Sequence, residues 1–281
     1  MADMFVKIAD YFSYDFVRYA MIVGILVSVC AALFGVILVL KRFSFIGDGL
    51  SHVAFGATAI AAVAGVSDKM VVVMPITVIT AILLLGVGKH AKVKGESSVA
   101  MVSVGAMALG YLVMSVFSSS SNVAGDVCGT LFGSFSILTL TRSHVMISIT
   151  MSVIVLVFFA LAYNRMFAVT FDEDFARATG VRATLNNLAI AVITAMIIVL
   201  AKQLVGSLLV SALLIFPALS AMRVTRSFRS TVVVSVIISV ACSSLGILFS
   251  ILLSTPVGPT IVCADVLAFG VCFAAGKIAK R

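Results

Sequence analysis

Charge is what this chain has least of. Asp, Glu, Lys and Arg make up 11% of its 281 residues, against about 25% in a soluble domain. That shortage excludes an ordinary soluble domain, and with it a charge-rich disordered chain. Cysteine is sparse and odd in number: Cys30, Cys128, Cys242, Cys263 and Cys272, with no CxxC spacing. A disulfide-stapled module and a thiolate metal site are both excluded as readings, and the cysteines are read as small apolar packing residues. Nucleotide-binding and hydrolytic signatures are missing too. There is no GxxxxGK[ST], since Gly86-Val87-Gly88-Lys89-His90 lacks the spacing and the hydroxyl, and there is no HExxH or GxSxG. If ATP drives this protein, another chain must bind it. The first apolar run has neither a basic leader before it nor a small-residue cleavage site, so it is read as a retained span.

What the chain has instead is long apolar runs, with 62% of residues in the AVILMFWYC set. No charge interrupts Ala20–Leu40, Gly49–Ser67, Met70–Gly88, Ser97–Gly125, Ser143–Asn164, Ala183–Ala201, Gln203–Met222 or Ser230–Ala264. About 20 apolar residues cross a bilayer as a helix. Ser230–Ala264 is too long for one span and divides at Thr255-Pro256-Val257-Gly258-Pro259-Thr260, a Pro/Gly turn signal. Lys202-Gln203 is read as a short external turn dividing Ala183–Met222. The expectation is an all-α polytopic membrane protein forming one transmembrane domain over residues 1–281. Nine spans fall near 18–40, 48–66, 70–88, 97–117, 142–163, 185–201, 204–222, 231–254 and 260–276, with eight as the alternative. Twenty-residue apolar runs argue against a β-barrel.

Basic residues set the orientation. Fourteen Lys and Arg fall in one set of loops and the C-terminal tail, and five (Lys7, Arg18, Lys69, Arg142 and Lys202) fall in the other. The first set, with the C-terminus, is placed in the cytoplasm. The net charge of +8 follows from this bias and is not read as nucleic-acid binding, because the basic residues are scattered over short loops.

Ionisable groups inside spans are costly, at least about 2.5–3.5 kcal/mol on insertion scales, and so point to function. Asp48 and His52, in Gly47-Asp48-Gly49-Leu50-Ser51-His52, are four residues apart and share one helix face. A carboxylate and an imidazole on one face suit Zn²⁺ or Mn²⁺, or a proton relay. The plain alternative is a local pair that satisfies itself and helps helices pack. Gly47, Gly49, Ser51, Ala54, Gly56 and Ala57 around it allow another backbone to approach closely. Asp265, in the last span, faces either the path or, as expected here, the outer interface. Asp126 serves cation capture, partner docking or capping of a following helix. His90 and His144 are read as interfacial.

Residues 165–184 form the second informative segment. Thr170 or Asp172 can cap a short helix with acidic residues in its first turn, and Gly180 can end it. Phe171 and Phe175 are expected on one face of that helix. It is either a docking knob for a soluble partner or an amphipathic turn on lipid headgroups.

Four stretches together resemble the membrane permease of bacterial zinc/manganese-uptake ABC transporters. They are Lys41–His52, with its basic–aromatic turn and G-D-x-L-S-H; Ser121-Asn122 through Asp126 to Leu131-Phe132-Gly133; Phe171–Gly180; and Val205–Ala218, a VGxLLVxALLIxPA run. Order and spacing match across nearly the whole chain. The resemblance implies a homodimeric or paired permease in the cytoplasmic membrane, with two cytoplasmic ATPases and an external metal-binding protein as partners. It implies that Asp48 and His52 lie on the metal path. It further implies that Phe171, Asp172, Glu173, Asp174, Phe175, Arg177 and Gly180 make the coupling helix seated in the ATPase, with ATP bound there and no catalytic cofactor in this chain. Gly206 and Pro217 are expected to bend or break a helix lining the path. The run Ser51–Ala57 looks more like zinc permeases than manganese ones, so zinc is placed first, manganese next and iron behind. Asp265 has no place in the family pattern and inherits no role. The rival readings are a proton-driven secondary transporter with Asp48, His52 and Asp265 as its relay, and a membrane enzyme using Asp48 and His52 as acid and base.

Overall fold

The computed structural model describes residues 14–87, 95–117, 123–133 and 142–278. Within them the chain forms eleven helices and no strand: α1 Asp15–Leu40, α2 Ser44–Val63, α3 Met70–Val87, α4 Gly95–Phe117, α5 Val123–Phe132, α6 Arg142–Phe171, α7 Glu173–Ala178, α8 Ala183–Val205, α9 Val210–Val224, α10 Phe228–Leu253 and α11 Val257–Ile278. Helices prevail because each apolar run can meet its backbone hydrogen bonds only within itself once water is gone. Seven (α1, α2, α4, α6, α8, α10 and α11) are long and apolar enough to cross a membrane. Met70–Leu84 in α3 and all of α9 are shorter apolar helices. These nine elements fall at the nine expected spans. His90, Ser121, Asn122 and the Lys89, Lys92 and Lys94 cluster lie outside the described residues.

Helices α1 and α8 form the centre, each 72% buried across its most apolar window. Phe34, Ile37, Ile197, Ile198, Leu200 and Leu204 are fully buried there. α6, α9 and α10 pack around α1, and α3 packs on α8. Small residues set the crossings, as expected where lipid gives no hydrophobic incentive for helices to associate. On α10, Ser235, Ser239 and Ser243 recur every fourth residue and are buried; the Ser239 hydroxyl donates to the Ser28 carbonyl of α1 at 3.0 Å. Among the described residues, α2 and α4 make the most extensive pairing. A Cβ on Gly56 would sit 2.8 Å from the Ala106 carbonyl oxygen, so only glycine permits that approach.

Two corrections to the sequence expectations concern this core. Lys202-Gln203 is not a turn: α8 runs through it to Val205, and the chain reverses at Gly206–Leu209. Gly206 has φ +87°, a conformation that glycine alone adopts freely. It is wedged against α5, where Ser207 and Leu208 donate their N–H groups to the Thr130 and Leu131 carbonyls at 3.3 and 3.1 Å. A basic residue misled the reading because the turn itself carries no charge. Asp265 is not interfacial either. It is the ninth residue of α11, about 12 Å along the helix, only 1% exposed, and lies beside the Cys242 thiol of α10. Neither carboxyl oxygen accepts a hydrogen bond of normal geometry.

Candidate metal and coupling sites

α2 begins immediately after a helix stop. Phe43 N–H bonds to Leu38 O at 2.8 Å and Arg42 N–H to Val39 O at 3.1 Å, the paired bonds of a Schellman cap closing α1. The left-handed position that glycine usually fills is held here by Arg42, with φ +60°. Asp48 and His52 follow on the first turns of α2. As their spacing requires, they face the same way, with His52 Nε2 3.8 Å from Asp48 Oδ1. The imidazole is 13% exposed and the carboxylate 44%. His52 Nδ1 lies 2.7 Å from the Ser103 hydroxyl of α4. His52 Nε2 is buried and has no hydrogen-bond partner. When the Nδ1 proton is donated to Ser103, the Nε2 lone pair is free and fixed in direction, the usual arrangement for a ligating histidine.

Two donors at about 2.1 Å from one ion sit about 3.4 Å apart at a tetrahedral angle and can be no more than about 4.2 Å apart. The observed 3.8 Å is therefore within reach of a single divalent ion. Among the described residues no three His, Cys, Asp or Glu side chains gather closely enough to hold an ion. One chain thus offers two donors, and a tetrahedral site needs two more.

Ser103 escaped the sequence reading. Its signal was present: Val99, Ser103, Ala106 and Gly110 recur at steps of four, three and four, a small-residue face on a helix otherwise exposed at Met101, Val104 and Leu112.

The segment before α8 builds a separate surface. Asp172 caps α7, accepting from the Phe175 N–H at 2.9 Å. Glu173 and Asp174 occupy the first turn, and Arg177 pairs with Glu173. Gly180, at φ +86°, and the Val181 N–H bond to Ala176 O at 2.9 Å end the helix. Ala176 is fully buried against Val169 and Ala183, while Phe175 is 63% exposed. One side of α7 is therefore seated on the bundle and the other is offered outward. Phe171 and Phe175 do not share the short helix. Phe171 ends α6 and packs against Phe167, tilted, and Phe228, edge-to-face, with centroids 4.9 and 6.0 Å away.

The remaining candidates disperse. Gly206 breaks the α8–α9 run, whereas Pro217 lies inside an unbroken α9. Asp126 sits in the first turn of α5 rather than ahead of a following helix. With His144 it lines a cavity of about 640 Å³, together with Asp68, Lys69 and Lys202. Two acids and two lysines leave that cavity without the net negative charge of a cation trap. Asp265 lies on α11 against α10, whereas His52 meets Ser103 of α4, and among the described residues the three are not gathered into one cluster.

Residues 13–276 match the ABC 3 transport family. The chain is 25% identical to the manganese import system permease protein ScaB of Streptococcus gordonii, over 92% of its own length and 91% of the relative's. It is 26% identical to the high-affinity zinc uptake system membrane protein ZnuB of Buchnera aphidicola, over 87% and 92%. Its fold matches that of PsaBC from Streptococcus pneumoniae in complex with Fab, with a TM-score of 0.82, 24% identity and 95% of each chain covered.

Proposed function

The chain belongs to the ABC 3 transport family and is a multi-pass metal ABC-transporter permease, and we propose that it passes Zn²⁺ inward through a site made by Asp48 and His52 of two copies. The observation that carries this reading is the orphaned His52 Nε2, aimed at Asp48 with its other nitrogen held by Ser103. Two such pairs across a two-fold axis supply two imidazoles and two carboxylates, a four-donor set that zinc accepts. So few donors, half of them exposed carboxylates, release an ion readily, as transport requires.

The power stroke comes from a separate cytoplasmic ATPase. α7 offers what such a partner needs: a capped helix seated through Ala176 and presenting Phe175. The fourteen-to-five distribution of basic residues supports a cytoplasmic side for α7 and the C-terminus. An extracytoplasmic metal-binding protein delivers the ion to the opposite face. When ATP closes the two ATPases, the α7 helices are drawn together and the bundle exchanges outward for inward access. The break at Gly206 lets α8 and α9 move as separate bodies.

Manganese is the second reading, favoured by the name of the Streptococcus gordonii relative; zinc is favoured by the Ser51–Ala57 run and by that of Buchnera. The test is reconstitution in liposomes with the ATPase and binding protein, comparing zinc with manganese uptake. Asp48→Ala and His52→Ala are expected to assemble and to lose transport. Uptake at the unsubstituted rate by both variants would remove the site.

A further inference from the structure

The coupling helix and the metal-site helix are not neighbours in sequence, yet a polar connection joins them. Glu173, the first residue of α7, accepts from Asn187 Nδ2 at 3.0 Å through Oε2. Asn187, on the first turns of α8, in turn accepts from Lys41 Nζ through Oδ1. Lys41 is the residue that caps α1, one position before Arg42. Its neighbour holds the left-handed conformation without being glycine, so the turn entering α2 is one that the surroundings must keep in place. Asn187 is 8% exposed and spends both ends of its amide on this link. An amide donates through its nitrogen and accepts through its oxygen, so one side chain can bridge a carboxylate and an ammonium.

We propose that Asn187 is a positioning residue for transport: it ties the seat of α7 to the α1–α2 turn, so that displacement of α7 is delivered to the helix carrying Asp48 and His52. The proposal rests on the reading of α7 as the ATPase seat. The elements it connects are each packed into the bundle. α7 is clamped through Ala176, and α2 is locked to α4 at Gly56. One buried side chain thus touches both Glu173 and Lys41, so displacement of Glu173 bears on the α1–α2 turn through it. Leucine at 187 has the same branched heavy-atom skeleton as asparagine, with methyl groups somewhat bulkier than the amide atoms, but neither donates nor accepts, so it cuts the link at both ends.

The experiment uses the full complex in proteoliposomes, with the ATPase and metal-loaded binding protein, and reads zinc uptake and ATP hydrolysis in the same vesicles. Asn187→Leu should keep hydrolysis within about twofold and lose about tenfold in ions moved per ATP, the signature of a cut coupling and not of a misfolded subunit. Asn187→Gln, which keeps the amide, should retain most of the coupling. Lys41→Met should reproduce the loss from the other end. The double variant should be no worse than either single one, because both break the same link. Unchanged ions per ATP in Asn187→Leu, or losses that multiply in the double variant, would overturn the proposal. Should Asn187→Leu fail to assemble, Lys41→Met and Asn187→Gln decide by the same ratio. The underlying reading fails separately: an ATPase that still binds and couples when Phe175 is changed to Asp removes α7 as the seat, whatever residue 187 does.

Discussion

Lys202 of α8 reaches across to α2, where its Nζ donates to the Ala54 carbonyl oxygen at 3.3 Å and to the Thr58 hydroxyl. An ammonium is donor-only and a carboxylate acceptor-only. Lys202→Glu would therefore set a carboxylate against the Ala54 carbonyl, whereas Lys202→Gln keeps a donor. Glutamate is expected to destabilise the bundle by about 1–3 kcal/mol and glutamine by less. Thermal unfolding in detergent measures the difference, and equal midpoints for the two variants would show that the cross-helix donor contributes nothing.

Ser103 touches the candidate site only through the His52 ring. Ser103→Ala removes one oxygen, leaves the α2–α4 crossing at Gly56 and Ala106 alone, and frees the imidazole to rotate. Loss of such an orienting partner typically costs 10–100-fold in metal affinity, on the order of one to two decades here. The expected result is a raised KM for zinc uptake with unfolding unchanged, measured on the reconstituted complex. Ser103→Thr keeps the hydroxyl and should recover most of the affinity.

Much of the fold was legible because lipid makes it so. A run such as Ala20–Leu40 has few alternatives to a helix, and nine such runs fall where nine apolar helices are found. The i,i+4 face of Asp48 and His52 was legible for the same reason of period, as was the Asp172 cap with Gly180 at the other end of α7. What failed was partnership across elements. Lys202 reads as a loop residue because lysine is rarely placed inside a span, yet a carbonyl and a hydroxyl from α2 meet its ammonium. Asp265 was expected at the interface on the same reasoning and is buried. Ser103 and Asn187 carry no charge; the small-residue face around Ser103 marks a helix contact but not a partner, and nothing local marks Asn187. Their significance lies in what stands opposite, 51 residues away for one and 14 for the other.

The outward face of α7 offers a test free of the metal. Asp172→Ala removes the acceptor for the Phe175 N–H, a cap worth about 1 kcal/mol to a helix of this kind. The helix has six residues and little cooperative strength of its own. Fraying its first turn is therefore expected to weaken ATPase association several-fold while the bundle unfolds at the same temperature. Asp172→Ser, which can still cap, should bind the ATPase nearly as well as the unsubstituted chain. Pull-down of the ATPase with each purified variant reads this directly.

Gly206 carries the most severe constraint. Its φ is +87°, and a Cβ there would lie 2.3 Å from the Leu131 carbonyl oxygen and 2.4 Å from the Gly133 nitrogen. Those atoms are backbone, so no side chain can swing aside. Any substitution must part α5 from the α8–α9 turn, breaking the bonds that Ser207 and Leu208 make to Thr130 and Leu131. Gly206→Ala thus combines dihedral strain with loss of two buried hydrogen bonds, a cost on the order of 3 kcal/mol or more. Pro217→Ala, in the unbroken α9, truncates a buried ring but meets no backbone clash or left-handed dihedral, and by restoring a helix N–H it should stiffen α9 without unfolding it. The contrast separates the two breaks that the sequence suggested. Thermal unfolding should fall sharply for Gly206→Ala and hold for Pro217→Ala, and a Gly206→Ala protein as stable as the unsubstituted one would mean that this turn is not packed as described.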